Sequence, residues 1–212
     1  MKITIALVLA FAYGWLTGRI PAPEDPGTFW IGNLAAPYLV IGFLASAWTA
    51  RKAWSAALTG AAAAAVTVCG FYNIFAVGID ARSKWGLPPS TPESAALRVA
   101  YEYWLRLLLF GARPWLLIGL VTGAVAGYLG YRWVARRDRL GPVLLGVGLI
   151  VEPALYFAGL SPNIDFTEYP YRPVNVAIWL AEALIGATAL VYALRRSRGK
   201  TPAVPPDASE VR

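Results

Sequence analysis

The chain has 212 residues, 58% hydrophobic and 15% charged, with a mean hydropathy of +0.52. Soluble domains run nearer roughly 45–50% apolar and about a quarter charged, so lipid is the expected solvent for much of this surface. The 19 basic and 12 acidic residues give a net charge of +7, with no His and one Cys. That excludes imidazole ligands, His bases and an intrachain disulfide, and the absence of P-loop and Rossmann patterns leaves no cofactor and no catalytic residue to expect.

Residues 1–17, MKITIALVLAFAYGWLT, read as a first spanning helix. A signal peptide is the competing reading, but the n-region holds only Lys2 and the apolar run continues through Trp15 to Gly18. After the Pro-rich turn at 20–27, a second helix is expected over 28–50, interrupted in its outer half by Asn33 and Pro37. A third is expected over 54–79, with the small-residue run Ala61–Ala65. The segment 95–110 predicts an amphipathic helix with Arg98, Glu102 and Arg106 on one polar stripe, lying on the outer interface, covering an outward cavity with the stripe turned to a ligand, or forming a seventh span that would reverse the later helices and break the charge rule. A fourth span is expected over 114–134, where Gly119, Gly123 and Gly127 recur every four residues, for packing within the chain or for dimerisation. The fifth and sixth spans are expected over 141–160 and 173–194, each long enough for ~30 Å of hydrocarbon.

Threading six helices from an inside N-terminus places 12 basic against 3 acidic residues inside, and 7 against 7 outside. This asymmetry obeys the positive-inside rule. It assigns the basic excess to topology and anionic lipid headgroups, not to nucleic acid. The expected fold is therefore all-α: a polytopic membrane bundle of six transmembrane helices, N-in/C-in, over 1–194, with an interfacial helix near 95–110 and a disordered cytoplasmic tail over 195–212. Arg-over-Lys usage with abundant Ala, Gly and Pro suggests a high-GC bacterial coding sequence, hence a bacterial inner membrane.

The segment Pro37–Ala47 matches Pro114–Ala124 at five of eleven positions, which suggests two helix hairpins related by an axis along the membrane normal. Such symmetry is common in transporters.

Each of the last two spans carries one carboxylate near its centre, Glu152 and Glu182. Counting from the outer ends puts them about 12 and 14 Å deep, so adjacent antiparallel helices can bring them face to face. Tyr156 lies one turn outward of Glu152, and Asn175 two turns outward of Glu182 with Trp179 between. Asn33, Tyr72 and Asn73 add polar groups at the outer ends of the second and third helices. A carboxylate at membrane depth has a partner or a task. Three readings stay open: a structural pair sharing a proton or hydrogen-bonding its surroundings, a site for a cation, a proton or an amine, and pairing with Arg106 or Arg113. The candidate ligand-binding residues are Glu152, Glu182, Tyr156, Asn175, Arg106 and Asn33, in an outward pocket between the second, fourth, fifth and sixth spans with 80–113 as its lid.

Pro114-Trp-Leu, Glu152-Pro-Ala-Leu and Ala181-Glu-Ala-Leu-Ile-Gly186 resemble motifs in a family of small actinobacterial six-helix membrane proteins classed as a domain of unknown function. That resemblance implies the six-helix inner-membrane architecture and no activity. In length, helix number and topology the chain also resembles the S components of energy-coupling-factor vitamin transporters. Those dock on a partner through an Ala-x-x-x-Ala motif in the first helix, whose spacing Ala6, Ala10 and Gly14 match. The expected function is small-molecule or cation transport or binding, with membrane lipids as surroundings. The alternative is a packing or assembly subunit that meets a second copy or a membrane partner through the Gly123–Gly127 and Ala61–Ala65 faces.

Overall fold

Small residues, not large ones, bring these helices together. The computed structural model describes residues 1–19, 35–76, 86–158 and 176–198, and these are helical with short connections and no strand. The helices are α1 (Lys2–Arg19), α2 (Ala35–Thr49), α3 (Ala53–Ala76), α4 (Glu93–Arg106), α5 (Arg113–Ala135), α6 (Leu140–Phe157) and α7 (Val176–Arg198). Two stretches, Ala53–Asn73 and Arg113–Ala135, are long and apolar enough to cross a membrane, and shorter apolar stretches occur at Lys2–Thr17, Pro37–Thr49 and Leu140–Leu155.

Helix α3 is the hub. On one side it crosses α1, where Gly14 lies against the Thr67 carbonyl and Gly70 against the Phe11 carbonyl. On the other it lies along α5, where a Cβ at Gly123 would sit 2.6 Å from the Gly60 oxygen and 2.7 Å from the Ala64 Cβ. Gly127 faces the Ala56 carbonyl and the Ser46 hydroxyl, and Gly130 faces the Phe43 carbonyl. Helix α2 closes this group, and the buried Ser46 Oγ donates to the Ala56 carbonyl at 2.8 Å, tying α2 to α3. Helices α6 and α7 form a hairpin that packs mainly on itself and meets α2 and α5 along a thin seam. Its own closest approach is at Gly146 and Gly186, where a Cβ on Gly186 would lie 2.7 Å from the Gly146 oxygen.

Three expectations are corrected by this packing. The glycine series of α5 and the alanines of α3 are consumed inside the chain, with Ala63 and Ala64 buried, so neither face is free for a second copy or a partner. Ala6 and Ala10 are likewise buried against Ala45 and Ala63, so the docking face implied by the S-component likeness is occupied by the chain's own helices. The expected two-fold relation between hairpins is also absent: α3 packs extensively on α5, whereas α6 barely touches α2. The reason lies within the repeat. Ser46 of α2 stands where α5 has Gly123, and Ala50, just past the end of α2, where α5 has Gly127, so α2 lacks the run of glycines that α5 lays against α3.

Boundaries moved where local chemistry decides them. Helix α7 continues to Arg198 instead of stopping at 194, because Ala, Leu and Arg favour helix and basic residues complement its C-terminal dipole. Residues 28–34 of the expected second helix, the expected ends at 77–79 and 159–160, and 199–212 of the tail lie outside the described residues. Helix α4 starts at Glu93 and passes at Leu107–Gly111 into a single π turn, with the Ala112 N–H donating to the Leu107 carbonyl at 2.7 Å. Pro114 then falls in the first turn of α5, where its missing N–H costs nothing.

The α5–α6 connection is fastened by Asp138. Its Oδ1 accepts the Leu140 N–H at 2.9 Å, capping α6, and its Oδ2 pairs with Arg132. Arg137 makes the turn in the left-handed region, at φ 53°. The Leu140 N–H first, and the Arg132 guanidinium after it, hold the Asp138 carboxyl below its ordinary value.

Two stability predictions follow from this geometry. Gly123→Ala should lose about 1–3 kcal/mol, because the neighbour at 2.6 Å is backbone. Gly148→Ala, with open space at its Cβ, should gain up to about 1 kcal/mol from helix propensity. Thermal unfolding of the purified variants reads both. For Asp138 the folded value lies below the unfolded one, so its stabilisation is present at neutral pH and is lost as pH falls through the folded value. Wild type and Asp138→Asn should therefore differ in melting temperature at neutral pH and converge well below about pH 4.

Candidate functional site

The α6–α7 hairpin brings the two acids together. Glu152 is half-buried on α6, and Glu182 on α7 is 5% exposed. Their carboxyl groups lie close enough to interact electrostatically. The close approach of Gly146 and Gly186 makes this nearness possible: Gly186 is one turn inward of Glu182 and touches Leu149, one turn inward of Glu152. Pro153, which follows Glu152, is buried inside the helix. Trp179, one turn outward of Glu182, is 4% exposed.

No N–H or alcohol O–H among the described residues bonds either buried oxygen of Glu182. Its neighbour across the hairpin is another carboxyl, which when ionised can only accept hydrogen bonds. The ion pairs among the described residues are Arg98–Glu102 and Arg132–Asp138, so no Arg or Lys in them neutralises Glu182.

Hydroxyl groups on three other helices interact electrostatically with one another, and one of them with Glu182. Tyr13 of α1 lies in the electrostatic field of Glu182. Tyr38 of α2 interacts with both Tyr13 and Tyr72 of α3, and hydrogen-bonds Thr17. Thr17 donates to the Gly14 carbonyl at 2.9 Å, which leaves its oxygen to accept from Tyr38. Tyr38 and Tyr72 pack against the apolar cluster of Val68, Leu108 and Ala112, as do Trp104 and Trp115. Among the described residues, no cluster of three or more metal-ligating side chains occurs.

Of the sequence-predicted site residues, the structure brings Glu152 and Glu182 together. Arg106 does not join them. It is exposed, and Arg98, Glu102 and Arg106 lie on the face of α4 opposite the Ala96–Ala100–Trp104 face that meets α3. The Trp104 Nε1–H donates to the Cys69 carbonyl at 3.2 Å, so the aromatic side is turned inward and the polar stripe outward. The stripe's Arg98–Glu102 ion pair is exposed at 82% and 57%, which corrects the reading of a stripe turned to a ligand. Tyr156 is in α6 one turn beyond Glu152, but its side chain, Asn33 and Asn175 lie outside the described residues.

The expected pocket walls change as well. Tyr13 of α1, a helix not expected to line the site, interacts electrostatically with Glu182. Tyr13, Thr17 and Tyr38 were the residues missed. Their signal was a hydroxyl in the outer part of each of the first two spans, at the level of Tyr72 in the third. A shallow groove of about 390 Å³ lies farther along α7, lined by Thr188, Val191, Tyr192 and Arg195, and is separate from the pair. Comparison with protein-family models, with curated proteins and with solved structures gives no match.

Glu182 discriminates a packing role from a ligand role. Because both its oxygens are buried without a donor, Glu182→Leu should raise stability by roughly 1–3 kcal/mol. A loss of stability in thermal unfolding would instead assign the carboxyl to packing.

Proposed function

We propose that this chain is a multi-pass membrane protein with six spanning helices (α1, α2, α3, α5, α6 and α7) and both termini cytoplasmic. In this reading it binds and moves a small cation at Glu152 and Glu182. The membrane part rests on an inverted distribution of side chains. The interior is built from Gly, Ala, Ser and Thr, while large apolar residues point outward: Val121 at 67%, Leu184 at 67%, Val8 at 61% and Leu9 at 59% exposure. Water disfavours such a surface and hydrocarbon does not. The basic excess at one end of the threaded chain supports the orientation. Helix α4, with an exposed ion pair and an exposed Phe110, suits the outer interface.

The observation that carries the cation reading is the Glu182 carboxyl, buried beside a second carboxyl, with no basic partner among the described residues. Oxygen donors from two acids, with hydroxyls nearby, suit a small monovalent cation or a protonated amine. The position of the pair supports translocation over mere storage. It sits within the α6–α7 hairpin, which meets α2 and α5 along a thin seam, and α7 has no extensive interface except with α6. A hairpin held on one side can shift against the remaining helices and alter access to the pair.

Reconstitution of the full chain into liposomes tests this. Wild type is expected to accumulate radiolabelled sodium, rubidium or methylammonium above protein-free vesicles, and Glu182→Gln and Glu152→Gln to abolish that uptake. Uptake unchanged in both variants would remove the pair from the function.

A further inference from the structure

Helix α7 is covered on one side only: it packs extensively on α6 and on no other helix. On its open side Thr188, Val191, Tyr192 and Arg195 recur at i, i+3, i+4 and i+7, so they share one face. These four residues line the groove of about 390 Å³, and its wall is almost wholly apolar. Val191 is exposed at 47% and Tyr192 at 54%. Even Arg195 adds carbon to such a wall, since its methylene stem lies along apolar surface while the guanidinium reaches past it.

The packing of the hairpin sets the level of Arg195. A Cβ on Gly146 would lie 2.7 Å from the Leu190 Cγ and 2.8 Å from the Gly186 oxygen, so Gly146 of α6 stands level with the turn 186–190 of α7. The two helices are antiparallel, because Gly146 meets this inner turn while Glu152 lies by Glu182. Moving seven residues back along α6 and seven forward along α7 therefore keeps one level. That sets Arg195 level with Arg139, in the α5–α6 turn that also holds Arg136 and Arg137. None of these four arginines is in an ion pair among the described residues, where Asp138 is already taken by Arg132. The apolar face thus ends at an uncompensated positive rim. From Thr188 to Arg195 the groove runs about 10 Å. One leaflet offers about 15 Å of hydrocarbon, half of the ~30 Å core.

We infer that this groove binds an anionic phospholipid of the inner leaflet, with one acyl chain along Thr188, Val191 and Tyr192 and the phosphate at the Arg195 guanidinium. The inference rests on the membrane placement proposed above and does not depend on the cation reading. The apolar wall gains dispersion contacts from an acyl chain and offers a water-soluble ligand almost nothing to bond. The guanidinium fork matches phosphate oxygens, and a basic rim favours a headgroup of net negative charge over a zwitterionic one. A second copy is a poorer occupant. A two-fold contact through this face, about an axis along the membrane normal, brings Arg195 toward Arg195 of the copy, and no acid lines the groove to separate them.

Native mass spectrometry tests this on the purified full chain, delipidated in mild detergent and titrated with phosphatidylglycerol or phosphatidylcholine of identical acyl chains. The first phosphatidylglycerol is expected to bind about fivefold more tightly than the first phosphatidylcholine, and Arg195→Gln to remove that preference. Thr188→Trp fills the groove and keeps the charge, so it should weaken the first binding step of both lipids. A phosphatidylglycerol with a diazirine in one acyl chain should label α7 over 188–195. Equal affinity for the two lipids in wild type, or a preference that survives Arg195→Gln, overturns the headgroup assignment. Label spread evenly over the helices, or first-step binding unchanged in Thr188→Trp, overturns the groove as the site. A chain that stays monodisperse without detergent or lipid removes the membrane placement itself.

Discussion

Backbone contact between helices is the constraint on which the rest of this structure depends. Gly60 and Ala64 of α3 meet Gly123 and Gly127 of α5 with no side chain between them, and Gly14 and Gly70 do the same for α1 and α3. At such separations the gain comes from dispersion between tightly apposed surfaces, and Leu- or Phe-sized side chains are forced to the outside. The outward-facing Val121, Val125 and Leu117 are thus the consequence of the inward-facing glycines on the same helix. The α6–α7 hairpin obeys the same rule at Gly146 and Gly186, and that approach lets two carboxylates lie close together. The site is a by-product of how the helices are allowed to pack.

This also explains what could and could not be read in advance. Helix positions followed from hydropathy and helix punctuation: a span expected over 114–134 is observed as Arg113–Ala135. The nearness of Glu152 and Glu182 followed from counting residues back from the connection between their helices, because an antiparallel pair keeps residues at equal distances from that connection at one level. Which face each helix buries was harder. Amphipathic periodicity identifies a core face only when the other face is polar, and here both faces are apolar. Side-chain size distinguishes them instead, and size misled at the repeat, where Ser46 in place of a glycine breaks the symmetry the matching residues suggest. The α4 stripe failed for a related reason. Three charges at helical spacing mark one face but do not say whether it points to a ligand or to solvent, and Trp104 decided that by bonding the Cys69 carbonyl.

The tyrosines were missed because nothing local marks them. Tyr13, Tyr38 and Tyr72 are single aromatic residues in apolar runs, and tyrosine near a membrane interface ordinarily needs no explanation beyond its amphipathic ring. Only the tertiary arrangement brings Tyr38 into the electrostatic field of Tyr13 and Tyr72, and Tyr13 into that of Glu182. The helices that carry them are held by glycine contacts remote from the hydroxyls themselves, so their convergence is a property of the bundle.

The contrast among buried polar groups gives Glu182 its meaning. Ser46, Thr17 and Thr67 are buried too, but each hydroxyl carries its own proton and donates it to a backbone carbonyl, at 2.8, 2.9 and 2.8 Å respectively. Arg132 leaves its Nε without a partner, yet another nitrogen of the same guanidinium pairs with Asp138. An ionised carboxylate has no proton to give, so the spare carbonyl acceptors that satisfy serine and threonine are useless to it. It needs donors, and the helix around Glu182 has already committed its N–H groups to its own ladder. What the fold supplies around Glu182 is therefore more oxygen: a second carboxyl and the hydroxyl of a tyrosine. Among the described residues the fold sets no basic side chain in an ion pair with this carboxyl.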